Sequence, residues 1–230
     1  THVVHCFVGF GGTGGKTLVE FAELISQDRK WAQDAWKKMC FLLCDTDIKD
    51  LEKASFRIGK AFSHVGLKPI IKQVFLGKGA TDLPAHIRGK FDNLTPAALD
   101  RLSEHWWYDK KGGGGPVDTS HLKKAVREGA SQCPTVAAFL AWDRHQEIET
   151  KVDELVKELD NVIAAGGARV HLNVDLIAGL AGGTGRGCWQ ILGFLIRKAL
   201  KDRDYDVTPT GYFLDQSCFT SIRKAGSSNQ

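Results

Sequence analysis

Val8-Gly9-Phe10-Gly11-Gly12-Thr13-Gly14-Gly15-Lys16-Thr17 follows a short apolar run, Val3 to Val8, and precedes a stretch with Leu18, Phe21, Ala22 and Ile25 on one helical face. The order is strand, glycine-rich turn, helix. The order recurs at Gly179-Leu180-Ala181-Gly182-Gly183-Thr184-Gly185-Arg186-Gly187, between an apolar run from Val170 to Ala178 and a helical pattern from Trp189 to Leu200. Glycine lacks a Cβ, so successive N–H groups converge on an anion without steric cost. The helix behind such a turn adds the positive end of its dipole. Two turns of this form in one chain point to a phosphate chain gripped from two sides.

The intervening sequence continues the alternation. Met39 to Cys44 reads as a second strand that stops at Asp45-Thr46-Asp47, with a helical turn from Ile48 to Ser55 behind it. Ile70 to Leu76 reads as a third strand, Thr135 to Ala165 as one long helix stopped by Gly166-Gly167, and Val207 to Leu214 as a last strand. Strands alternating with helices predict an α/β fold: a doubly wound, mostly parallel sheet with helices on both faces. In the order 3-2-1-4-5 both glycine turns follow neighbouring strands at the topological switch point, where such folds bind ligands. The segment from about 77 to 127 interrupts the pattern. It reads as an irregular excursion with short helices near 94–105 and 119–127, the pair Trp106-Trp107 packing it onto the body. The run Gly112-Gly113-Gly114-Gly115-Pro116 reads as a surface loop, because no strand precedes it.

At 230 residues, 43% apolar and 25% charged, the chain has enough material for a single domain with a real core. Its net charge of +4, 31 basic against 27 acidic residues, is dispersed and argues against nucleic acid. No apolar run approaches the roughly 20 residues that insertion into a bilayer requires. The six cysteines form no C-x-x-C pair and no zinc spacing. They read as small buried hydrophobes of a cytoplasmic protein. Cys188, just behind the second glycine turn, has activation of its thiol as a rival reading. The chain lacks an initiator Met, which suggests a fragment.

Three chemistries compete for the glycine turns. Gly9-x-Gly11-x-x-Gly14 satisfies a dinucleotide fingerprint, with Asp45 for the ribose and a hydride-transfer enzyme as the outcome. Asp45 lies 31 positions past Gly14, against the usual ~20, and the second turn is left unused. Gly14-Gly15-Lys16-Thr17 ends like a P-loop, but Phe10 stands where that motif needs glycine.

The third reading uses both turns. Ala181-Gly182-Gly183-Thr184-Gly185-Arg186-Gly187 resembles the glycine signature of the tubulin/FtsZ family of GTP-binding filament proteins, with Arg186 at a position that is usually small. Gly9 to Lys16 is similar to the family's first nucleotide loop, Lys16 standing where FtsZ has Asn. Asp45-Thr46-Asp47 is similar to its Asn-Thr-Asp loop, and Glu128-Gly129-Ala130-Ser131-Gln132-Cys133-Pro134 to its third loop, ahead of a long helix. The long 77–127 segment suggests a divergent bacterial member.

The resemblance implies GTP/GDP and Mg2+ as ligands and head-to-tail filaments as the assembly. It also implies hydrolysis completed by acidic residues of the next subunit, on a second domain that this chain does not include. The residues it nominates for nucleotide are Gly9, Gly11, Gly12, Thr13, Gly14, Gly15, Lys16, Asp45, Asp47, Gly129, Ala130, Ser131, Gln132, Gly182, Gly183, Thr184, Gly185 and Arg186. Thr13 and Thr184 offer hydroxyls. Lys16 meets a terminal phosphate or is a solvated lysine. Asp45 and Asp47 hold magnesium through water or cap the turn. No catalytic residue is nominated, and a nucleotide-binding scaffold without turnover remains the rival outcome.

Overall fold

Residues 2–35, 38–77, 108–109, 115–116, 130, 134–163, 170–201 and 206–215 are described by a computed structural model. Strand β1 spans His2–Phe10 and passes directly into helix α1, Gly11–Gln27. A short helix α2, Arg29–Ala35, follows, with Asp28 Oδ1 accepting from Trp31 N at 3.0 Å. Strand β2 is Met39–Asp45, helix α3 is Ile48–His64 and strand β3 is Ile70–Phe75. Strands β4, Tyr108–Asp109, and β5, Gly115–Pro116, form a small antiparallel ladder. Helices α4, Pro134–Asp143, and α5, His145–Ile163, lead to β6, Val170–Gly179. Helix α6, Gly183–Lys201, and strand β7, Asp206–Leu214, complete the described elements.

The main sheet has the order β3-β2-β1-β6-β7, and every pairing in it is parallel. The expected doubly wound α/β sheet is therefore present in the expected order. Side chains alternate across it. Val4, Cys6, Val8 and Phe10 of β1 join Cys40, Leu42, Cys44, Leu172 and Val174 beneath α4, α5 and α6. On the opposite face Phe41 and Leu43 pack with Leu18, Ala22 and Ile25 of α1 and Leu51, Ile58 and Phe62 of α3. A fully buried residue such as Phe41 contributes about 1.5–3 kcal/mol by leaving water.

Several boundaries differ from expectation, each for a local reason. The first glycine turn has no length as a loop: the helix starts at Gly11, not Thr17. Helix α6 likewise starts at Gly183, six residues before Trp189. Helix α3 runs to His64 because Leu51, Ala54, Ile58, Ala61 and Phe62 continue one buried stripe. Gly66, at φ +80°, then turns the chain away. The long helix is two helices that turn at Arg144, with helical bonds carried across by Arg144 N to Leu140 O and Ile148 N to Arg144 O, both 3.0 Å. The glycine run does have a strand before it, since β4 and β5 bracket residues 110–114. The helices expected near 94–105 and 119–127, Trp106-Trp107 and Gly166-Gly167 lie outside the described residues.

Candidate functional site

The ends of β1, β2 and β6 carry the nominated residues, and their geometry follows from how closely the backbones approach. Gly11 opens α1 at φ +67°, a conformation that favours glycine. A Cβ there would sit 3.0 Å from Thr184 Cβ and 3.3 Å from Gly185 N. The two glycine turns, 173 positions apart at those residues (184 − 11), are thus in direct contact. Thr13 lies against Gly179, where an added Cβ would stand 2.8 Å from Thr13 Oγ1. Gly14 packs onto Gly9 and onto the Ile177 carbonyl of β6. Gly185 packs onto Gly179 O, 2.5 Å from its added Cβ. Close packing thereby brings the first turns of α1 and α6 together.

Helix α1 has no side-chain cap at Phe10 and no acidic residue in its first turn; α6 also begins without one. The first N–H groups of a helix need partners from outside it, and two such ends side by side concentrate positive potential. Gly182 leads into α6 with open space beside it: its added Cβ meets nothing nearer than Gly179 O at 3.9 Å. Gly183 is buried at the helix start, and Arg186 is exposed one residue past Gly185, its N donating to Gly182 O at 3.2 Å.

The acidic turn after β2 divides its roles. Asp47 is the N-cap of α3, its side chain accepting from Lys49 N at 2.8 Å and Asp50 N at 3.3 Å. The capping reading of the sequence describes it. Asp45 is only 5% exposed. Its Oδ1 accepts from Thr46 N at 2.7 Å, Asp47 N at 3.1 Å and Thr184 Oγ1 at 3.5 Å. Burial lifts its carboxyl from 3.8 to about 7. The N–H groups of Asp47 and Thr46 hold it down, and the charges of Asp50 and Asp47 push it further up. Thr184 Oγ1 also lies 2.7 Å from Thr46 Oγ1, so its hydroxyl is turned into the protein. A ribose-binding Asp45 fits this burial poorly.

Two further residues at this place carry no mark in the sequence beyond their nearness to the acidic turn. Thr46 is wholly buried. Asp50 sets its carboxylate over Gly12, where an added Cβ would stand 2.7 Å from Oδ2. Gly15 faces Ala54 of α3 in the same way, at 3.3 Å. Lys16 is exposed at a cleft of about 150 Å³ between α1 and α3, together with Gly12, Asp50, Lys53 and Arg57. Among the described residues, no three His, Cys, Asp or Glu side chains group into a metal site.

Of the third nominated loop, Ala130 is described and buried at 5% exposure, while Gly129, Ser131 and Gln132 lie outside the described residues. Cys188 is a buried free thiol; its Sγ donates to Ala137 O at 3.3 Å and burial pushes its pKa up. The packing reading therefore describes it better than activation. Cys6, Cys40 and Cys44 are likewise free and buried, and Cys133 and Cys218 lie outside the described residues. No helix among the described residues is long and apolar enough to cross a membrane.

A parallel sheet with two glycine-started helices meeting over its central strands defines a doubly wound α/β protein with its crevice at the switch point. A protein-family model described as tubulin-like matches residues 6–229, and the chain belongs to that family. No curated protein matches it.

Proposed function

We propose that the chain binds GTP and GDP with their phosphates at the paired starts of α1 and α6, and that it self-assembles head to tail, an adjacent subunit completing hydrolysis. The observation that carries this reading is the contact of Gly11 with Thr184 and Gly185, which sets two helix starts without acidic first turns side by side. Membership of the tubulin-like family supports the choice of a guanine nucleotide and of a filament-forming GTPase.

Within this reading the N–H groups of Gly11, Gly12, Thr13, Gly183 and Thr184 are the phosphate donors, and Gly182 leaves space for the chain to pass. Lys16, which makes no ion pair among the described residues, supplies a point charge for the terminal phosphate. Magnesium would lend the phosphates charge neutralisation. The carboxylate that fits it is Asp50, beside Gly12, since Asp45 is buried and Asp47 caps α3. One carboxylate with phosphate oxygens and water is an ordinary donor set for that ion.

The test is calorimetric titration of the purified protein with GTP, GDP, ATP and NAD, with and without magnesium. Saturable binding of the guanine nucleotides, strengthened by magnesium for GTP, is expected. Binding of NAD alone would return the chain to the dinucleotide reading.

A further inference from the structure

The hydrogen bond between Thr46 and Thr184 joins the residue after β2 to the first turn of α6, the helix that follows β6. β2 and β6 flank β1 on opposite sides, so the 2.7 Å contact between the two hydroxyls crosses the top of β1. It does so beside Gly11, whose added Cβ would lie 3.0 Å from Thr184 Cβ. Thr46 is fully buried and Thr184 only 7% exposed, so neither hydroxyl has ready access to water, and losing one leaves the other poorly satisfied. With Asp45 ionised the chain of donors has one direction. Thr184 donates to Asp45 Oδ1, and Thr46 donates to Thr184. Thr46 N also donates to Asp45 Oδ1 at 2.7 Å, which fixes the residue at both its backbone and its side chain.

We infer that Thr46 is a positioning residue for the phosphate site: its hydroxyl holds Thr184, and through Thr184 it sets the first turn of α6 against the first turn of α1. The inference rests on the nucleotide reading above and assigns a role to a residue that touches no phosphate. The two glycine turns bind one ligand only while their N–H groups stay convergent. A buried bond across β1 resists their separation better than an exposed one, because water does not compete for it.

The variants are Thr46→Val, which keeps the shape and removes the hydroxyl, and Thr46→Ser, which keeps the hydroxyl. Affinity for GDP and for inorganic pyrophosphate is measured by calorimetry, and folding by circular dichroism. T46V is expected to weaken both ligands about tenfold, as for a lost buried hydrogen bond, and T46S to stay within about twofold. Pyrophosphate makes phosphate contacts only, so equal losses for the two ligands locate the effect in the phosphate site. If T46V fails to fold, Thr46→Ala is read in the same way. Unchanged binding in T46V, or an equal loss in T46S, overturns the positioning role alone. Wild-type protein that binds neither ligand overturns the nucleotide reading and this role with it.

Discussion

The pKa of Asp45, at the crevice, is held near neutrality by its burial. Its folded state keeps the proton up to about pH 7, whereas an unfolded chain releases it near 3.8. Between those values the native protein binds more protons than the unfolded one, so stability falls as pH rises through that window. The loss approaches about 1.4 kcal/mol for each pH unit. Asp45→Asn keeps an oxygen for the Thr46 and Asp47 N–H groups and cannot ionise. Thermal melts at about pH 5 and about pH 8 should therefore show the wild type losing stability relative to the variant at the higher pH. Parallel losses would mean that Asp45 is already ionised in the folded protein at acid pH. Residue-scale roles were the least legible in the sequence. Asp45 and Asp47 are two positions apart and of one chemical type, and both were nominated for magnesium. Only the fold separates a buried acceptor from an N-cap.

At the scale of elements, sequence pattern worked where periodicity was clean. The five main strands and their order followed from apolar runs alternating with helical stretches. The helix starts did not, because glycine is a poor helix former and Gly11 to Gly15 reads locally as a loop. Tertiary packing decides there: Gly14 must lie against the Ile177 carbonyl and Gly15 against Ala54, and helical geometry permits both. Gly14→Ala separates the two influences. The helix gains about 0.5–1 kcal/mol from the better former. The added Cβ has no room against backbone, and such overpacking costs about 1–3 kcal/mol. The expected net result is a lower melting temperature. An unchanged or higher one would show that α1 slides freely over β6. The expected end of helix α3 at Ser55 falls short of His64 because Lys53, Arg57 and Lys60 interrupt the apolar pattern of its buried stripe. Lys53 and Arg57 border the cleft with α1, where Arg57 reaches Glu20 and Glu23.

For the whole molecule, the phosphate loops and the chemistry of hydrolysis are separable. The crevice offers N–H groups and cations, while Asp45 belongs to a buried network, Asp47 caps a helix and Asp50, over Gly12, is the carboxylate the proposed reading gives to magnesium. A positioned group for the attacking water is worth about 10²–10⁴-fold, and under the proposed function that group comes from another subunit. Phosphate release from GTP by these 230 residues should thus be slow, at a specific rate that does not change with protein concentration. A fast rate proportional to protein at high dilution would instead locate a complete site in one chain.

If the two glycine turns form a single phosphate site, Gly182 is the position at which to block it. A side chain at this position meets no protein atom closer than 3.9 Å from its Cβ, so Gly182→Val should leave the fold intact and fill only the open space beside the helix start. The measurement is calorimetric titration of GDP into wild-type and Gly182→Val protein, with melting temperatures recorded for both. Saturable wild-type binding, a loss of at least about tenfold in the variant, roughly 1.4 kcal/mol, and similar melting temperatures are expected. Equal GDP affinity in two equally stable proteins would contradict the single phosphate site.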